Sequence, residues 1–149
     1  MFRQIAAEVE RALDGLDHKV EHIGSTAVPG LAAKPIIDLF AIVTSKDDVP
    51  VAINALAEAG WEHEGDGGLT GRERFTVRRD LPYHHLYLVV QGNEQHRLQT
   101  RFRDILRADE RARTEYATLK KALAPLLLAD RVAYTEGKTE FVRSVLARD

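Results

Sequence analysis

Apolar residues recur at two different periods along this chain, and the change of period marks its elements. Ile5, Val9, Ala12, Leu13 and Leu16 fall three or four apart. That spacing predicts an amphipathic helix over residues 2–14, closed by Asp14-Gly15. Lys19 to Ile23 reads as a short strand. Pro35 to Val43 is apolar on both alternating sets apart from Asp38, the pattern of a strand buried on both faces. Ser45-Lys46-Asp47-Asp48 reads as the start of a helix that turns Val49, Ile53, Leu56 and Ala57 inward and stops at Gly60. Trp61 to Glu64 is a candidate short strand. Gly65 to Gly68 with Gly71 predicts a pliable loop able to cover a site. Arg72 to Arg79 and Tyr83 to Gln91 alternate as two strands joined by Asp80-Leu81-Pro82.

The last third returns to the helical period. Leu98, Phe102, Ile105 and Leu106 share a face. Asp109 reads as the N-cap of a segment bearing Ala112, Tyr116, Leu119 and Leu123, which Pro125 interrupts. Thr135 reads as the cap of a final helix with Phe141, Val142, Val145 and Leu146. There is no internal repeat, low-complexity run or linker. The pattern predicts one α+β (or α/β) domain over residues 1–149. It would hold a small mixed sheet of about four or five strands and a helical C-terminal third.

Composition narrows the partners. At 149 residues, 44% hydrophobic and 30% charged, the chain reads as an ordinary globular domain. No stretch approaches the ~20 apolar residues a membrane helix needs. The absence of cysteine excludes a disulfide framework and thiolate chemistry. With no signal-length apolar run at the N-terminus, these features predict a cytoplasmic protein. A net charge of -2, without aromatics interleaved among the basic residues, argues against a general nucleic-acid surface.

The candidate chemistry gathers between residues 20 and 43. A glycine lets backbone approach a phosphate, and a following serine adds a hydroxyl, so Gly24-Ser25 is either a phosphate turn or a plain turn. Asp38 sits in an apolar strand where an unpaired carboxylate is costly. It therefore takes a metal, a basic side chain such as Lys34, or a backbone N–H. Lys34 is held extended by Pro35 and either meets a phosphate or carboxylate or stays solvated. Alternation on the last strand puts Tyr83, His85 and Tyr87 on one face and His84, Leu86 and Leu88 on the other. His22, Asp38 and His85 would form a metal-ligating set if their strands are neighbours. His18, His63 and His96 read as surface residues. Arg72 and Arg74 share a face with Thr76 and Arg78, and Arg97, Arg101 and Arg103 follow. These arginines either clamp an acidic substrate or form a solvated face.

His22-Ile23-Gly24-Ser25-Thr26-Ala27-Val28-Pro29-Gly30-Leu31-Ala32-Ala33-Lys34-Pro35-Ile36-Ile37-Asp38 resembles the signature of the GrpB family. His85-Leu86-Tyr87-Leu88-Val89, the run from Arg101 to Arg107, Tyr116 to Leu123, and Tyr134 with Lys138 and Phe141 extend the resemblance over essentially the whole chain. It implies a nucleotidyltransferase-like fold, in a domain that also occurs fused to dephospho-CoA kinases. In that superfamily a Gly-Ser turn precedes two acids spaced acid-x-acid, which hold metal ions. Gly24-Ser25 and Asp38 match, but Phe40 stands in the second acid's place. The resemblance implies that a nucleotide or related phosphorylated small molecule is held by Gly24, Ser25, Thr26, Lys34 and Arg74. It also implies that Asp38 and His85 ligate a divalent metal, Mg or Mn ahead of Zn, and that Asp38 and His22 serve any catalysis. Glu21, Glu64 and Glu73 are the candidates to replace the missing acid, and Phe40→Asp is expected to restore metal affinity. The alternatives are a non-catalytic ligand-binding or interaction module linked to a CoA-pathway kinase, and a metal-dependent hydrolase using His22, Asp38 and His85.

Overall fold

In a computed structural model, the described residues are 1–31, 34–66 and 70–148. Their elements run α1 (Phe2–Ala12), β1 (His18–Ile23), β2 (Ile37–Val43), α2 (Val49–Glu58), β3 (His63–Gly65), β4 (Arg72–Phe75) and β5 (His84–Val90). The helices α3 (Glu94–Ala108), α4 (Glu110–Leu123), α5 (Leu126–Ala129) and α6 (Arg131–Leu146) follow. Gly67, Gly68 and Leu69, in the predicted covering loop, lie outside the described residues.

The five strands form one mixed sheet in the order β1-β2-β5-β4-β3. β2 and β5 pair in parallel, and the other neighbours are antiparallel. β2 is buried along its whole length except at Asp38, as its apolar run requires. Leu39, Ala41 and Val43 of β2 join Leu86 and Leu88 of β5 on one face. There they meet Ile5, Val9 and Leu13 from the first helix and Ala52 and Leu56 of α2. On the other face Ile23, Phe40, Ile42 and Val89 pack together, and α3 crosses them through the His96 ring, edge-on to Phe40 at 5.5 Å. The C-terminal helices have their own apolar cluster, in which Leu106, Ala112 and Tyr116 close over Val28 and Leu31.

Several expectations shift by local physics. Ala57 is exposed, because Ala52 and Leu56 already fill the buried stripe of α2. The strand from Arg72 stops at Phe75, and Arg78 turns away from Arg72 and Arg74. Its guanidinium donates to both carboxylate oxygens of Asp80, to Glu8 and to the Ala59 carbonyl, and lies over the Trp61 ring at 4.9 Å. The final helix begins before Thr135, because Asp130 accepts from the Ala133 N–H at 3.0 Å and supplies the cap. His96 is half-buried, bonded to Glu21 at 3.1 Å.

Candidate ligand-binding site

The turn after β1 is shaped for close approach. Gly24 has φ 78 and ψ -176, backbone that side-chain-bearing residues essentially never adopt. A β-carbon there would also run into the Asp38 side chain. Thr26 ties the turn down: its hydroxyl donates to the Ile36 carbonyl at 3.1 Å and accepts from His22 Nε2 at 2.9 Å. The Phe2 ring stacks on His22 at 4.6 Å. Burial and then the neighbouring Arg107 hold the His22 imidazole below its ordinary pKa. Thr26 and His22 therefore anchor the turn.

Strand register separates His22 from the other expected ligands. Asp38 is opposite Ile23 on β1 and His85 on β5, whereas His22 is opposite Leu39. His22 thus faces the first helix and Asp38 the other side. The structure brings Asp38 and His85 together, with Nδ1 to Oδ1 at 2.8 Å, and leaves His22 out. Asp38 keeps 29% and His85 41% of its side chain exposed. Asp38 is therefore partnered by His85, while Lys34 is exposed and makes no bond to it. Arg74 lies on the same face, 3.7 Å from Glu64, with its side chain 46% exposed. It borders a broad depression of about 1130 Å³ shared with Tyr83, His85, Arg79 and Arg131.

Between the sheet and the C-terminal helices lies a cleft of about 660 Å³. Gly24, Ser25, Asp38, Arg72 and Tyr87 line its sheet side, and Tyr134, Lys138 and Arg143 its helical side. The Arg72 guanidinium lies over the Tyr87 ring at 4.3 Å, and its buried Nε has no partner among the described residues. Burial raises the Tyr87 phenol above its ordinary pKa. Lys120 of α4 donates to Oγ of Ser25, a lining residue of the cleft, at 3.0 Å. Burial, then Lys138 and Lys34, push its ammonium below the usual lysine range. Among the described residues none of these three lysines pairs with a carboxylate. Sequence reasoning missed Lys120 as a site residue and gave Lys138 no role. A signal was present in the repeated spacing Tyr116/Lys120 and Tyr134/Lys138, which sets each ammonium 5.4 Å from a ring centre.

The donors for a metal are few. Among the described residues no three His, Asp or Glu side chains are grouped to hold an ion. Phe40 is fully buried, packed against the Tyr87 and His96 rings. Glu21 is engaged by His96, Thr100 and Arg103, Glu73 by His63, and Glu64 lies beside Arg74. Asp38 and His85 remain, already bonded to each other.

The family described as GrpB protein matches residues 1–148. The chain belongs to the GrpB family. The Glutamate-rich protein GrpB of Alkalihalophilus pseudofirmus is 36% identical over 132 residues, covering 85% of this chain and 76% of that protein. The UPF0157 protein YqkA of Bacillus subtilis is 36% identical over 125 residues, 84% of this chain but 36% of that protein. The chain thus spans about a third of that relative's length. The crystal structure of GrpB from Enterococcus faecalis matches with a TM-score of 0.79 at 35% identity, over 97% of this chain and 87% of that one. Cid1, solved in complex with the UTP analog UMPNPP, matches with a TM-score of 0.51 at 18% identity, over 85% of this chain and 35% of that one. That likeness shows a shared nucleotidyltransferase-like fold. No described helix of this GrpB chain is long and apolar enough to cross a membrane.

Proposed function

We propose that this GrpB-family chain binds a nucleotide or a related phosphorylated small molecule in the cleft between the sheet and the C-terminal helices. One observation carries the reading: Ser25, on the Gly24 turn, bonds Lys120 and lines a cleft with Lys138, and among the described residues neither lysine pairs with a carboxylate. A turn hydroxyl beside unpaired ammonium groups is the chemistry that receives a phosphate. The Arg72–Tyr87 pair adds a flat cationic and aromatic surface for a base. The cleft volume suits a small ligand. The fold shared with Cid1 supports the same class of ligand.

The test is thermal unfolding with ATP, GTP, CTP, UTP and dephospho-CoA. A ligand that binds only the folded chain stabilises it by ~2.7 kcal/mol at a hundredfold excess over its Kd. A shift that Arg72→Met reduces would support the cleft. No shift with any of the five would overturn the reading in favour of a protein-interaction module.

A second reading, proton transfer during hydrolysis or transfer, is favoured by the Asp38–His85 pair alone. Asp38 fixes His85 through Nδ1 while the ring stays partly open to solvent, the arrangement of an oriented general base. Hydrolysis of a bound nucleotide, abolished in His85→Gln without loss of binding, would support it.

A further inference from the structure

We propose that Lys120 and Lys138 neutralise the bound phosphoryl group in place of divalent metal, so that binding needs no metal ion. This rests on the ligand class proposed above and concerns only how its charge is met.

The argument starts from what each group is already doing. Asp38 directs Oδ1 to His85, while Oδ2 is the atom crowded toward Gly24. The position two residues on, where a second carboxylate would be needed, belongs to Phe40 inside an apolar cluster. Two donors that already bond each other are a poor cage for a divalent ion. The cations are placed differently. Lys120 is half-buried and bonded to Ser25, and Lys138 lines the same cleft as Ser25; burial and then the like charges of Lys138 and Lys34 hold the Lys120 ammonium below its usual range. Like charges gathered without a counter-ion oppose one another, and a divalent cation added among them adds to the repulsion. An anion removes it.

The hydrogen-bonding groups agree. Ser25 Oγ accepts from Lys120, which leaves its own O–H to donate outward. Arg72, on the same cleft, has a buried Nε–H with no acceptor among the described residues. Both are donors awaiting an acceptor, as phosphate oxygens are and a metal ion is not.

Isothermal titration of the whole chain with ATP and with inorganic pyrophosphate, in EDTA and then in excess Mg²⁺, decides the matter. The expected result is binding in EDTA at least as tight as with Mg²⁺, because the metal masks phosphate charge that the lysines would meet. Lys120→Met should weaken binding in EDTA about tenfold, the loss of one charge-assisted bond, and Lys120→Arg should restore part of it. Lys138→Met serves as the second variant should Lys120→Met fail to fold. Binding seen only with Mg²⁺ would overturn the lysine proposal and leave the ligand class standing. Binding in neither condition would overturn both. An unchanged Kd in the folded lysine variants in EDTA would show that the charge is met elsewhere.

Discussion

A β-carbon on Gly24 would stand 2.5 Å from Oδ2 of Asp38 and 3.2 Å from its Cβ. The turn backbone therefore lies directly against the Asp38 side chain, at a φ that disfavours any side chain on residue 24. We expect Gly24→Ala to destabilise the chain by about 2–4 kcal/mol, combining backbone strain with the collision. Gly30→Ala is the internal comparison. Its φ is also positive, at 82, but a β-carbon there meets nothing within 4 Å. It should cost only about 1 kcal/mol. Urea unfolding of the two variants measures the difference, and equal losses would mean that the contact with Asp38 is of no consequence.

His84 supplies a pH dependence with a definite sign. It is fully buried, with Nδ1–H donating to the Pro82 carbonyl at 2.7 Å and Nε2 accepting from Trp61 Nε1–H at 2.9 Å. Protonation would set two N–H groups face to face, and burial holds the pKa below the ordinary 6.5. His22 is lowered as well, by burial and then Arg107. The unfolded chain therefore takes up protons near 6.5, before the folded chain does. Stability should be flat above that pH and fall as pH drops from it toward the lowered values. Urea midpoints recorded stepwise from neutral to mildly acid pH test this, and His84→Gln should flatten the slope.

Trp61→Phe isolates the same bond at neutral pH. It leaves His84 Nε2 buried without a donor, and a loss of about 1–3 kcal/mol is expected. His84→Gln combined with Trp61→Phe should cost less than the sum of the single changes, since the two side chains share one interaction. Strict additivity in the double-mutant cycle would contradict the bond.

Phe40→Asp separates core from site. The side chain is 0% exposed, and the carboxylate replacing it would be buried among Ile23, Ile42 and Val89. We expect a loss of at least about 3 kcal/mol, and no metal-dependent recovery of the melting temperature. Recovery on adding Mg²⁺ or Mn²⁺ would reinstate the acid-x-acid reading of residues 38 and 40. Phe40→Leu, which keeps the position apolar, should cost far less.

Much of the sheet was legible because alternation is a local property. Asp38 as the one polar break in β2, and the division of His84 from His85, follow from period two alone. The family signature gave the turn and its glycine. The face of His22 was not legible. Alternation sorts a strand into two sets, but only the pairing of Ile23 with Asp38 says which set meets the site. Lys120 was hidden for a different reason. It meets Ser25 across 95 positions of chain, and a helical period shows a face without naming what the face meets. The cap at Thr135 was misplaced because Asp130 offers an equally good acceptor five residues earlier.

The two walls of the cleft draw mainly on different apolar clusters: the sheet wall on Ile23, Phe40 and Val89, whereas Tyr116, Phe102 and Phe141 stack the C-terminal helices on one another and meet the sheet side through Val28 and Leu31. Parts with separate interiors need not exchange their amide protons together. A molecule lodged between the walls would couple them. Deuterium uptake across Arg131–Leu146 should then slow on ligand addition well beyond the residues that touch it.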